Sequence, residues 1–263
     1  MGKAVAKKKE NELAKLNTLL MEDAGSGAES MTSEDFMIPR ISLLQDLSPQ
    51  VKKREKTYVD GAEAGSIFNN VTQKVTDGET GITVLPIKYR RTHLEWKPNR
   101  GGFVKDHGSD SNVLDSCVQD ADSFTFVNDE GNEIVTTAEY FLFLIEDGKY
   151  EPAVLSMSKS QLRKSRRWNS MMNQLKILDP NDGVNFFNPA LFYTAYNLTS
   201  VPQTNEKGTW FGWEIEMLWG DKGGIISNMD NGEEIYLAAR TFKEKVQSGD
   251  VKVQPEQEGE DAY

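Results

Sequence analysis

The order of strand and helix signals along this 263-residue chain predicts a mainly β protein with some helix. The expected core is a five-stranded Greek-key barrel with one helix between its third and fourth strands. A C-terminal helix and disordered tails complete the expectation. Three observations carry it. Alternating or continuous apolar runs of strand length fill the middle of the chain, one long amphipathic stretch interrupts them after residue 158, and both ends are rich in charge and poor in large apolar side chains.

Residues 1–34 read as a flexible basic tail: Lys7, Lys8 and Lys9 are followed by a weak helical pattern of Leu13, Leu16, Leu19 and Leu20, then by a Gly/Ser/acid linker over 22–30. Order begins near Phe36. The apolar run 36–44 is broken by Pro39, which suits an edge strand or an extended arm. Ser48-Pro49 and Asp60-Gly61 mark turns. From Thr80 to Trp96 apolar residues alternate and then give way to cations and aromatics, the signature of one long strand. Short strands are expected over 123–127, 140–145 and 152–157, with turn chemistry at 128–132 and at Asp147-Gly148. The clearest helix follows, from an N-cap at Ser158 to a stop at Asp179-Pro180. At 100° per residue Trp168, Met171, Met172, Leu175 and Leu178 fall within an arc of about 120°, with Lys159, Arg163 and Arg166 opposite and Arg167 at the boundary. Strands over 191–199 and 209–217, joined by a loop holding Pro202 and Gly208, form a hairpin. A last helix spans about 233–246 after Asn231-Gly232.

This is the element order of an OB-like barrel. The expected organisation is a tail over 1–34, a single OB-like domain over 35–249 with an acidic insertion near 106–151, and a disordered acidic tail over 250–263. No apolar run approaches the ~20 residues of a membrane span, and no apolar segment follows the N-terminal lysines as in a signal peptide. The single cysteine, Cys117, excludes an intramolecular disulfide and a cysteine-built zinc site. The expected location is the cytoplasm, with no membrane partner.

A net charge of −11 argues against a nucleic-acid binder until the charges are placed along the chain. Six cations (Lys88, Arg90, Arg91, Lys97, Arg100, Lys105) and one acid, Glu95, lie between 88 and 105. Six more (Lys159, Arg163, Lys164, Arg166, Arg167, Lys176) lie between 159 and 176 with no acid. Residues 110–151 hold eleven acids against Lys149 alone. A polyanion responds to the local potential, because salt screens charges beyond about 8 Å. In the first block the cations interleave with Tyr89, Trp96 and Phe103, the combination that grips a single strand: cations follow phosphates while rings stack bases at roughly 1–3 kcal/mol each. The expected binding residues are therefore Lys88, Tyr89, Arg90, Arg91, Trp96, Lys97, Arg100, Phe103 and Lys105, joined by Arg163 and Arg166 of the helix. Trp96 and Phe103 are expected to be exposed, since both lie beside Pro, Gly and charge.

Catalytic constellations are missing. His93 and His107 have no metal-type spacing, Cys117 has no activating neighbour, and no GxSxG, Walker A or GxGxxG occurs. The reading is non-enzymatic, without cofactor or metal. The carboxylates of 106–151 leave a metal-dependent nuclease as a rival, and a protein-interaction or virion-associated module is another. A duplex binder is disfavoured by the lack of a recognition-helix motif.

The C-terminus, with Glu256, Glu258, Glu260 and Asp261 before a terminal Tyr263, resembles the acidic tails of bacterial and bacteriophage single-stranded-DNA-binding proteins. The resemblance extends to the basic-aromatic strand and the barrel order, as a plan rather than a long motif. The run Phe36–Gln45 also looks like the start of phage-encoded proteins of this kind. The resemblance of tail, basic-aromatic strand and barrel order implies a sequence-independent protein of DNA replication or recombination, binding single-stranded DNA or, by the same chemistry, RNA. In those families the tail recruits replication and recombination partners.

Overall fold

The computed structural model describes residues 15–30, 37–98, 101–120, 125–206, 208–220 and 223–251. The chain divides into two units, 1–36 and 37–263. Of the first, residues 15–22 form helix α1, whose Leu16, Leu19 and Leu20 are exposed.

The second unit is built on a mixed sheet that has eleven strands among the described residues. The strands are β1 (Arg40–Leu43), β2 (Ile67–Asn69), β3 (Val75–Thr76), β4 (Ile82–Trp96), β5 (Phe103–Asp106), β6 (Val118–Gln119), β7 (Phe126–Val127), β8 (Glu133–Glu146), β9 (Lys149–Ser158), β12 (Tyr196–Asn205) and β13 (Gly208–Met217). A separate two-stranded hairpin pairs β10 (Ile177–Leu178) with β11 (Phe186–Phe187). The main order is β13-β12-β4-β8-β9-β1-β2-β3, with β5 on β4 and the β6–β7 pair on β8. Helix α2 (Leu162–Gln174) follows β9, and α3 (Gly224–Asn228) and α4 (Gly232–Ser248) follow β13.

The five-stranded OB barrel is therefore incorrect: the sheet is far larger and curls into a half-barrel. Pattern reading finds the long strands but not the short strands β2, β3, β5 and β6, which have too few residues to show periodicity. β1 lies within the apolar run 36–44 expected as an edge strand or extended arm, and it is not an edge strand. It lies between β2 and β9, parallel to β9, with Pro39 just outside it donating nothing and accepting from Val154 N. The helix is also shorter than expected. It starts after a 3-10 turn over Lys159–Gln161, Ser158 makes no side-chain cap, and the chain turns extended at Leu175. Asp179-Pro180 belongs to the β10–β11 turn instead of a helix stop.

Side chains from both ends of the sheet meet on one face, which is the concave one. Ile41 and Ile67, Val84, Tyr140, Leu155 and Met157, Leu198, Trp213 and Ile215 pack there around Trp168 and Met172 of α2. The opposite face of β4, β8 and β9 (Leu85, Ile87, Phe141, Phe143, Val154) is covered by Ile225 of α3 and Ile235, Ala239 and Phe242 of α4. Each aliphatic or aromatic side chain so buried contributes roughly 1.5–3 kcal/mol.

The curl brings β13 near the chain after β1. Phe211 N donates to Gln45 Oε1 at 2.8 Å and Gln45 Nε2 donates to Phe211 O at 3.0 Å, so one side-chain amide serves as a strand neighbour. A Cβ on Gly78 would press into the Gly65 carbonyl and lie 2.6 Å from Ser200 Cβ. Only glycine permits that approach. No described helix is long and apolar enough to cross a membrane.

Candidate nucleic-acid interface

Strand β4 carries most of the candidate residues, and its periodicity decides where they go. Successive side chains of a strand point to opposite faces. A register shift between Pro86 and Lys88 resets the alternation, after which Lys88 opposes Phe141, Tyr89 opposes Tyr140, Arg90 opposes Glu139 and Arg91 opposes Ala138. Tyr140 and Ala138 line the concave core and Phe141 the convex one. Tyr89 and Arg91 thus share the concave face, while Lys88 and Arg90 share the convex face. The expected binding residues of β4 are thus divided between two faces.

On the convex face Arg90 is already occupied. Its Nε donates to Glu139 Oε2 at 2.9 Å and its guanidinium lies 3.2 Å from Asp106 Oδ2. Glu139 is 1% exposed and also lies 3.7 Å from Arg40, which bonds Ser156 of β9. Thr92 bonds the other oxygen of Asp106. Arg90 is a member of a structural ion network, not a free cation.

Trp96 is the second correction. It is 3% exposed, packed with Leu94 and Val135, because β5 folds back beside the end of β4. Phe103 of that returning strand meets it edge-on at 5.5 Å and keeps 37% of its surface. Flanking Pro, Gly and charge mark the hairpin tip correctly, but they do not keep a ring in solvent when the hairpin closes on it. Val104 and Lys105 are exposed on the same strand, and Lys97 is exposed at the tip. Arg100 lies outside the described residues.

The concave side assembles a different set. Tyr140 stacks on Trp168 at 4.3 Å, and Tyr89 sits 5.3 Å from Tyr140. The Tyr140 hydroxyl lies 2.7 Å from Ser165 Oγ and 2.9 Å from Asn169 Oδ1, and burial pushes its ionisation above the usual tyrosine range. Asn169 and Arg166, three apart, share a flank of α2, and Arg163 precedes Arg166 by the same step. Arg163 and Arg166 stand on the side of α2 away from Trp168 and Met172, which point into the concave core. Arg91, Arg163 and Arg166 are exposed and make no ion pair among the described residues. The opposite flank of α2 is neutralised: Lys164 Nζ lies 2.6 Å and Arg167 Nη1 3.2 Å from the Glu214 carboxylate, which Lys164 in particular holds below the ordinary range.

Beyond Arg91 the same face becomes a polar knot that sequence reading did not identify. His93, 1% exposed, places Nδ1 3.1 Å from Thr136 Oγ1; burial, aided by the Arg91 and His107 charges, lowers its pKa. Glu95 accepts from His107 Nε2 at 2.7 Å, Asn128 Nδ2 at 2.9 Å and Asn132 Nδ2 at 2.8 Å. Burial raises its carboxyl, but the bonds from Asn132, His107 and Asn128 outweigh that and leave it lowered. The one visible signal for such groups was an acid inside an apolar strand, as at Glu139 in 133–146. The carboxylates of 106–151 form no metal-type cluster among the described residues. The tail residues Glu256, Glu258, Glu260, Asp261 and Tyr263 lie outside the described residues.

Residues 8–252 match a family described as Pam3 phage gp34-like protein, and the chain belongs to this phage-protein family. No curated protein and no solved structure matches the chain.

Proposed function

We propose that this phage-family chain is a non-enzymatic, sequence-independent single-stranded-DNA-binding protein of DNA replication or recombination. The strand would follow the exposed cations Arg91 of β4 and Arg163 and Arg166 of α2, with Lys105 and Lys97 of the β4–β5 hairpin extending the path. Tyr89 and Phe103 offer ring surface for unpaired bases. The acidic C-terminal tail would recruit replication or recombination proteins. The host cytoplasm is the expected site of action.

One observation carries the reading. A chain with 41 acids and 30 basic residues has carboxylates to spare, yet Arg91, Arg163, Arg166, Lys97 and Lys105 have no acid partner among the described residues. Arg90, Lys164 and Arg167 on the same elements do have one. Exposed cations left unpaired on a net-acidic molecule are suited to a polyanion.

Fluorescence anisotropy with labelled oligo-dT tests this. Binding is expected at low salt, with log affinity falling against log salt at about −0.7 per phosphate neutralised. Unlabelled single strand, RNA and duplex compete in separate arms. No binding at low salt overturns the proposal, and preference for duplex reassigns the polymer.

A further inference from the structure

The β10–β11 hairpin stands apart from both cores. Residues 181–188 are all exposed, and Leu178 is 47%, Val184 73%, Phe186 65% and Phe187 42% accessible. Leu178 opposes Phe186, so these two share one face of the hairpin. A two-stranded hairpin is marginal in water unless something covers it. Exposed strand edges with large apolar side chains are also what monomeric proteins avoid.

Charge identifies the occupant. Lys176 stands at the hairpin root and Asp182 at its tip, and both are exposed. Asp182 accepts from Val184 N at 2.9 Å and Asn185 N at 3.0 Å, bonds that favour its ionised form and lower its pKa. A strip with a cation at one end, a carboxylate at the other and apolar side chains between is complementary to itself. A two-fold axis reverses the strip, setting each Lys176 against the other copy's Asp182 and Phe186 against the apolar centre. A nucleic-acid strand fits poorly, because Asp179 and Asp182 flank the rings.

We infer that the β10–β11 hairpin is a homodimer interface, with a second copy of this chain docked antiparallel across Leu178, Val184 and Phe186. The inference goes beyond the nucleic-acid reading and its test uses no nucleic acid.

Sedimentation velocity on the full chain over a wide concentration range is expected to show a reversible dimer. Phe186→Asp, an exposed position, is expected to weaken it at least about tenfold without changing the circular dichroism spectrum. Lys176→Glu is expected to weaken the dimer roughly fivefold, but to have little effect once Asp182→Asn has removed the opposing charge. Asn keeps the oxygen that caps the turn. A chain that stays monomeric, a dimer indifferent to Phe186→Asp, or an equal Lys176→Glu effect in both backgrounds overturns the inference. So does a Phe186→Asp variant that loses oligo-dT binding at unchanged oligomeric state, which would assign the rings to stacking on DNA.

Discussion

Arg90 Nε donates to Glu139 Oε2 at 2.9 Å from the facing position of the neighbouring strand, and Arg40 reaches the same carboxylate from β1 at 3.7 Å. One buried acid thus ties β4, β8 and β1 together, with β9 joined through Ser156. Such a network is worth little against an apolar replacement, but removing one member strands the others without compensation.

Glu139→Gln is accordingly expected to destabilise the protein by about 3–5 kcal/mol, read from urea unfolding. Unchanged unfolding would show that the network adds nothing. Arg90→Ala is expected to lower stability while leaving the salt dependence of DNA binding as it was.

Acid should weaken the fold in two steps. His93 has a lowered folded pKa, so the unfolded chain takes up its proton first and stability falls as pH drops below about 6.5. Glu95 is also lowered, so its contribution is present above about 4.3 and is lost as pH falls through the folded value. Urea unfolding followed from pH 8 to pH 4 is expected to show the first decline, which His93→Gln flattens. Glu95→Gln is expected to flatten the lower one. A stability that does not fall between pH 8 and pH 4 contradicts the His93 assignment, and one that does not fall further as the titration is carried below about pH 4 contradicts the Glu95 assignment.

Binding and stability variants should separate. Arg91→Ala and Arg166→Ala are each expected to reduce the salt slope for oligo-dT by about 0.7, the share of one phosphate, with thermal unfolding unchanged. Trp96→Ala is expected to cost about 3–5 kcal/mol of stability, with the affinity of the folded protein unaltered. A loss of affinity in folded Trp96→Ala would restore that ring to the binding surface.

Closure of the half-barrel can be probed at Gly78 and Gln45. Gly78→Ala must force Gly65 and Ser200 apart and is expected to cost about 1–3 kcal/mol. Gln45→Ala leaves Phe211 N and O without their partner and is expected to cost about 1–3 kcal/mol. Thermal melts that match the unsubstituted chain would show that the two ends of the sheet are held by other contacts.

Much of the local structure was legible from residue order. The strand over 82–96, the presence of α2, α4 and a β12–β13 hairpin, and the segregation of cations follow from periodicities of 2 and 3.6 and from composition, which each segment carries within itself. The expected strand over 191–199, by contrast, begins as a 3-10 turn, and the expected loop after it continues as β12 to Asn205, with Pro202 facing Phe211. What only the tertiary structure decided is which partner each group meets. Trp96 is buried because β5 returns beside it, Arg90 is neutralised because Glu139 falls at the facing register position, and Arg91 stays free because Ala138 opposes it. Register between segments some fifty residues apart is set by packing of the whole sheet, and no local pattern encodes it.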